Sequence, residues 1–405
     1  MAKILISLLG TGRQAKGDNE KNEYERTDYI LDDKPYPKQT FTSNAIIKHY
    51  SIDRVYYIGT NQSMWDNIAE IFKADEEYII QLLDKKENKK LQEDDLIKLN
   101  SLIDKKLNQN GSKCYIIEDG ENEDELWRIF EKFLEILDMV NSKDELYFDI
   151  THLFRSVSVM SFIMAELAQI DKNIKIKGFF YGMLKRGEPS LIIDTSLFFE
   201  LLQWSKAIEE LENFASLKRL VELSDGRIDK NAYNSLGYLE SAFDIANMSA
   251  IFNAVKTLNT QIGHFKKSQD KLMLLILPRL EQFIKRFSKN DLSEFQLELA
   301  VFFKEKHNYA LSYMALAEAI VSKVAEIQKY NVQEETDRNL AKREISEIDS
   351  DLYYKVYQHV NKIRNNIAHQ LENQRDTKKD IENLKNIYID ETRKIFKELN
   401  KCSNF

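Results

Sequence analysis

Six stretches in the first two hundred or so residues are apolar along nearly their whole length: KILISLL (3–9), RVYYIG (54–59), KCYIIE (113–118), ELYFDI (145–150), IKIKGFFYG (174–182) and SLIIDT (190–195). Strands read this way when a sheet is covered on both faces, because neither side alternates to polar. Between them lie helical patterns near 42–50, 62–84, 122–141 and 153–171. Alternation of β and α at this spacing predicts a Rossmann-like, mostly parallel α/β sheet domain. The segment 18–40, with its Tyr, Thr and Pro content, predicts a hairpin excursion, and 84–111, rich in Lys, Glu, Asp and Asn, a solvated helical insertion. After Thr195 the strand signals stop and an all-α helical bundle follows. In the last helix before the tail, Leu352, Val356, Val360, Ile363, Ile367 and Leu371 recur every three or four residues. That spacing predicts one apolar stripe facing a core. The division expected is 1–198, 199–290 as a helical connector and 291–405 as a terminal bundle.

Composition narrows the class. The longest apolar run, LMLLIL at 272–277, is far below the ~20 residues a membrane span needs. The N-terminus, MAKILISLLG, shows no cleavable small-residue site. Two cysteines, Cys114 and Cys402, exclude a disulfide framework or zinc cluster and suit a reducing cytoplasm. A net charge of −8 argues against a surface that holds duplex DNA along its length, so any nucleic-acid contact is expected to be local.

Within HVNKIRNNIAHQLEN (359–373) an ordinary amphipathic helix carries Arg364, Asn365, Asn366 and His369 where Lys and Glu are usual. Consecutive asparagines are poor helix formers, so something else must favour them there. On a helical wheel Ile367 sits at the centre of the stripe, Arg364 about 60° away at its edge, and His369 on the opposite, polar side with Asn365. A site using both Arg364 and His369 gains from a second helix, and two such helices meeting across a dimer axis would supply two of each. Arg364-Asn365-x-x-x-His369, late in a helical bundle, resembles the R-N-x3-H signature of HEPN ribonuclease domains, over roughly 290–400. The resemblance implies a dimeric, metal-independent RNA-cleaving site. His369 would serve as general acid or base at the ribose 2′-OH and the leaving 5′-oxygen. Arg364 would stabilise the pentavalent phosphate, Asn365 would orient the imidazole, and the products would end in a 2′,3′-cyclic phosphate.

In the α/β half three strand ends carry polar or glycine-rich residues. Gly10, Thr11, Gly12 and Arg13 follow the first strand, Gly59, Thr60 and Asn61 the second, and Asp149, Thr151, His152, Leu153 and Arg155 the fourth. Ligands of open α/β sheets bind beyond the carboxyl ends of strands. The glycine pair is equally consistent with a tight turn, Ser63 with a helix cap, and His152 with either a ligand contact or a structural partner of the neighbouring strand. GTG, GTxxSMWD and the D-x-T-H loop are similar to CARF domains of CRISPR-associated proteins carrying D-x-T-H-G, over about 1–200, except that Leu153 stands where that motif has glycine. A CARF domain fused to a HEPN domain is the arrangement of CRISPR type III ancillary ribonucleases. What that implies is an activator, not a cofactor: a cyclic oligoadenylate on the two-fold axis of a homodimer, cyclic tetra-adenylate favoured over cyclic hexa-adenylate. Arg13, Arg155 and Lys185 are then candidate phosphate partners, or equally surface charges. The expected activity is ligand-gated cleavage of single-stranded RNA.

Two rivals come from other classes. One is a ligand-binding regulator whose helical half binds RNA or a protein without cutting. The other is a dinucleotide-dependent oxidoreductase, disfavoured because the first loop reads G-T-G-R-Q-A instead of G-x-G-x-x-G. No His/carboxylate cluster has metal-ligand spacing, so no metal site is expected.

Overall fold

The computed structural model describes residues 1–11, 26–172, 174–185, 188–369 and 377–402. They form two compact units, Met1–Glu200 and Leu201–Phe405. No helix among the described residues is long and apolar enough to cross a membrane.

The first unit is built on one eight-stranded sheet. In chain order the strands are β1 (Lys3–Leu9), β2 (Thr27–Leu31), β3 (Lys34–Gln39), β4 (Arg54–Gly59), β5 (Lys113–Ile116), β6 (Glu145–Asp149), β7 (Lys175–Met183) and β8 (Ser190–Asp194). Across the sheet they run β3-β2-β8-β7-β6-β1-β4-β5. The five strands from β7 to β5 are parallel, and β8 and the β2–β3 hairpin close the other edge as a mixed extension. The expected hairpin is thus present and adds itself to the sheet.

The unbroken apolar runs have a two-sided cause. Leu5 and Leu9 of β1 point into one core with Val55, Tyr57 and Tyr147, while Ile4, Ile6 and Leu8 point into the other with Tyr56, Ile58 and Phe148. Side chains alternate between faces with period two, so both sets must be apolar when helices cover both faces. Helices Thr42–Tyr50, Trp65–Ile71, Glu76–Glu87 and Ile97–Leu107 supply one face, and Glu123–Asp138 and Arg155–Lys172 the other.

Two expectations are corrected here. The helix predicted over 62–84 is two helices, broken where Lys73 takes a φ of 60° and restarted by Asp75, whose Oδ1 accepts from Tyr78 N at 3.0 Å. The segment 84–111 is not merely solvated. Its Leu91, Leu96, Leu99 and Ile103 are buried in the sheet's core, and it forms the crossover that parallel strands β4 and β5 require.

The second unit is all helical, and one hydrophobic core runs from Trp204 to Phe396. Leu352, Val356, Val360 and Ile363 are buried in it as predicted, but Ile367 is 39% exposed. Leu371 lies outside the described residues. Beyond the motif helix the described residues are again helical. Thr377–Asn383 leads through a π-helical stretch into Ile389–Cys402, which buries Leu384, Tyr388, Ile389 and Phe396.

Candidate functional sites

The order of the sheet places the first site. The chain moves outward from β1 to β4 and β5, then returns to the far side of β1 with β6 and β7. The carboxyl ends of β1 and β6 therefore flank the point where the direction reverses, which is where such sheets open a crevice. A cavity of about 580 Å³ lies there, lined by Gly10 and Thr11 after β1, Thr60 and Met64 after β4, Thr151–Phe154 after β6 and Tyr181–Leu184 at the end of β7, with Thr27, Tyr29 and Thr40 from the edge hairpin.

Asp149 organises this crevice. It is fully buried at the end of β6. Its Oδ2 accepts from Ser7 Oγ at 3.0 Å and Thr42 Oγ1 at 2.8 Å; its Oδ1 accepts from Thr151 N at 3.1 Å and Thr151 Oγ1 at 2.5 Å. No cation is among its partners in the described residues, where charge-assisted hydrogen bonds offset its desolvation. Thr151 Oγ1 in turn accepts from Gly182 N at 2.8 Å, which ties the β6 loop to β7. Burial, then the Asp149 charge, pushes the Tyr29 phenol up to about 12.

The loops fit together through missing side chains. A Cβ on Gly10 would stand 2.9 Å from the backbone nitrogen of Leu153, so only glycine lets the β1 and β6 loops approach this closely. A Cβ on Gly59 would meet Ser63 Oγ at 2.7 Å. Ser63 is buried, donates to Leu9 O at 2.5 Å and accepts from Thr60 N at 2.9 Å. It ties two strand ends together, and the following helix Trp65–Ile71 has no side-chain cap. The alternative of a helix cap is thereby answered. Leu153 holds φ at 75°, so the backbone there takes the left-handed form that glycine favours, despite the isobutyl group.

His152 stands edge-on to Phe41, with ring centroids 5.8 Å apart. Its Nε2 is buried with no hydrogen-bond partner among the described residues, and burial, opposed by Asp149, lowers its pKa below the usual 6.5. The ring is therefore neutral at pH 7, with one polar atom unsatisfied beside the cavity.

The predicted set divides on this geometry. Gly10, Thr11, Thr60, Thr151, His152 and Leu153 line the cavity; Gly59, Asn61, Arg155 and Lys185 do not. Asn61 Nδ2 instead reaches Lys89 O at 3.5 Å. Lys185 pairs with Glu188 at 3.8 Å, and Arg155 opens the following helix exposed to solvent. Gly12 and Arg13 lie outside the described residues. Sequence reasoning missed Tyr29 and Tyr181, whose strand-like context gave no sign of which strand end they would reach.

The second site lies on the helix Gln358–His369. Arg364 is half-buried: its Nη2 meets Glu318 Oε1 at 3.2 Å and its Nη1 donates to Asn365 Oδ1 at 2.9 Å. Glu318, on Tyr309–Ile327, also binds Arg338 Nη2, and Arg338 Nη1 donates to Val332 O at 2.9 Å. One carboxylate thus bridges two guanidinium groups. Burial, reinforced by Glu318, pushes the neighbouring Tyr357 phenol up to about 12. Asn365 gives its side-chain oxygen to Arg364, which leaves its Nδ2 as the group for the expected orientation of His369. His369 is exposed, the last described residue of the helix. Arg364 Nε and Asn366 Nδ2 are buried without a hydrogen-bond partner among the described residues. Glu318 and Arg338 escaped the sequence reading. The available signal was a lone acid within the apolar run from Ala315 to Val321.

Comparison with known proteins gives these regions relatives. Residues 4–184 match the family described as CRISPR system endoribonuclease Csx1, CARF domain, and residues 200–294 the family described as CRISPR-associated protein MJ1674, second domain. CRISPR-associated protein MJ1674 of Methanocaldococcus jannaschii is 30% identical over 399 residues, covering 91% of this chain. The chain spans 62% of the length of that relative. Among solved structures, Csm6 of Enterococcus italicus bound to cyclic hexa-2′-fluoro-hexa-dAMP aligns with 98% of this chain and 94% of its own, at 14% identity and a TM-score of 0.44.

Proposed function

We propose that this protein is a cyclic-oligoadenylate-activated, metal-independent endoribonuclease of type III CRISPR defence, working as a homodimer on single-stranded RNA. The observation that carries the reading is the cavity at the β1/β6 reversal, within the region matching a CARF domain of an endoribonuclease family, with the unsatisfied Nε2 of His152 at its wall. A cyclic oligoadenylate is two-fold symmetric and polyanionic, so it fits a crevice duplicated across a dimer axis. Gly10, Thr11 and Thr151 would approach its backbone, and the exposed Tyr181 would offer a ring to a base.

Cleavage is assigned to the region 291–405 as a HEPN domain. Arg364 is held by Glu318 while His369 is exposed at the helix end; on one helix they face different ways. Two copies side by side would place the imidazole of one near the guanidinium of the other. His369 would then move the proton between the 2′-OH and the leaving oxygen, and Arg364 would offset charge on the phosphorane. The activator would act by binding the competent arrangement more tightly than the resting one.

Engagement of Arg364 by Glu318 and Asn365 also favours a second reading, in which Arg364 is structural and the helical unit binds without cutting. One assay separates them: cleavage of labelled single-stranded RNA in EDTA, with cyclic tetra- or hexa-adenylate, by wild type, Arg364→Ala and His369→Ala. The nuclease reading expects activator-dependent cleavage that both variants lose, with 2′,3′-cyclic phosphate ends. Cleavage indifferent to both substitutions, or none with either activator, overturns it.

A further inference from the structure

The helical unit carries a groove that the motif helix does not by itself explain. Its first part is a cavity of about 690 Å³ whose wall includes Arg279, Lys285, Arg286, Lys289 and Lys306. Against these five cations stand Glu212 and Glu298, each already paired, with Arg279 at 3.4 Å and Arg286 at 2.7 Å. Arg286 and Lys306 also lie over the Phe302 ring, at 5.2 and 5.6 Å from its centroid. Lys285 and Lys289 have no ion-pair partner among the described residues. In a chain of net charge −8, such a concentration on one wall is a local attraction for a polyanion.

Lys306 lines a second cavity as well, of about 720 Å³, so the two meet at this residue. The second cavity differs in chemistry. Tyr309 offers a half-buried ring, with its hydroxyl 2.7 Å from His307 Nδ1 and Lys385 Nζ 5.1 Å from its centroid. Ile363 and Ile367 give an apolar wall, and Asn366 brings its buried Nδ2, which has no hydrogen-bond partner among the described residues. Both Ile367 and Asn366 belong to the helix that carries Arg364 and His369. This explains why Ile367, at the centre of a predicted core stripe, is left open: it faces a cavity.

We infer that the two cavities form one binding track for single-stranded RNA. Phosphates would run along Lys285, Lys289 and Lys306, and a base would be held between the Tyr309 ring and the Ile367 wall, with Asn366 Nδ2 donating to its edge. A cationic track leading to an aromatic and amide pocket is how single strands are held without sequence readout. A purely acidic protein partner would have no use for the ring or the orphaned amide. The inference rests on the ribonuclease reading for its placement beside the motif helix, but it concerns binding and can fail separately.

The test is fluorescence anisotropy of a labelled single-stranded RNA on the full-length His369→Ala protein, across a salt series. Lys285→Gln/Lys289→Gln is compared with Lys105→Gln/Lys106→Gln, an exposed pair in the α/β unit with the same change in charge. Removal of two phosphate contacts should lower the slope of log K against log salt by about 1.4. Affinity should fall roughly tenfold, while the control pair stays within twofold of the parent. Tyr309→Ala should weaken binding by about tenfold and Tyr309→Phe should restore it, since stacking needs only the ring. If the groove variants bind RNA as the parent does, the track is wrong, even where wild type cleaves. If they lose RNA while wild type never cleaves, the track stands and the nuclease reading falls. If polyglutamate displaces the RNA at equal charge concentration and Tyr309→Ala changes nothing, the groove takes acidic protein and the inference is overturned.

Discussion

Leu153 offers a test in which the sign of an effect, not only its size, is fixed by the structure. Its φ of 75° costs an L-residue with a Cβ roughly 1–2 kcal/mol, a cost that glycine escapes. Its side chain also packs, half-buried, against the core under the β6 end of the sheet. Replacing Leu153 by Ala or by Gly forfeits nearly the same packing, so the two losses cancel in a comparison. What remains is relief of the left-handed strain in the Gly variant, opposed by roughly 0.5–1 kcal/mol of extra chain entropy in its unfolded state. Leu153→Gly should therefore be the more stable by about 0.5–1 kcal/mol. In a helix interior the order is reversed, with Ala better by about 1 kcal/mol. For a unit of the size of Met1–Glu200, the difference moves the midpoint by about 1–4 °C, which scanning calorimetry of the full chain resolves. An Ala variant as stable as the Gly variant, or more so, refutes the reasoning: the backbone would not be held where strain applies.

Asp149→Asn should destabilise the α/β unit by about 2–3 kcal/mol, because an amide nitrogen cannot accept from the donors now shared between two oxygens; a urea midpoint equivalent to less than 1 kcal/mol would show the network to be dispensable. Glu318→Gln leaves Arg338 and Arg364 facing each other without their shared carboxylate. Since all three are partly exposed, about 1–2 kcal/mol is expected, with RNA cleavage falling further than stability; unchanged cleavage would free Arg364 from any need of Glu318. Burial holds the His152 pKa below 6.5 in the fold, so the unfolded chain takes up a proton first as pH falls. Stability should be level above about 6.5 and decline below it. His152→Phe should flatten that limb of a thermal-midpoint profile, and an identical limb in the variant would assign the acid sensitivity to other groups.

The fold was readable where burial is two-sided. Strands β1, β4 and β6 declared themselves because both cores demand apolar side chains at every position. The crossover through Ile97–Leu107 was obscured because the lysines and acids on its outer face outnumber its inner Leu99 and Ile103. The break at Lys73 was missed because a lysine in the left-handed region carries no compositional mark. Strand ends told which loops would converge, but not which side chains would turn inward. Asn61 and Lys185 look like ligand contacts in sequence, yet are occupied by Lys89 and Glu188. Such partners are set by loop geometry, which no periodicity encodes.

The two candidate sites share a signature that bears on reading such chains. At each, an apolar residue occupies a place its surroundings do not favour: Leu153 where the backbone asks for glycine, and Ile367 where the stripe points into the core but the side chain is open. Beside each lies a buried polar atom with no hydrogen-bond partner among the described residues, His152 Nε2 and Asn366 Nδ2. Either departure costs free energy, and an unsatisfied buried group costs about 1–3 kcal/mol. Folding alone would remove such costs by repacking, because a neighbouring side chain could fill the space or supply the bond. Both occur at cavity walls, the arrangement expected if the proposed ligands bind there. A bound base or phosphate would meet the stranded nitrogen and cover the exposed apolar wall at once. Buried polar atoms without a partner among the described residues occur elsewhere in the chain too, but these two stand at the walls of those cavities, where departures from the apolar pattern and the motif residues coincide.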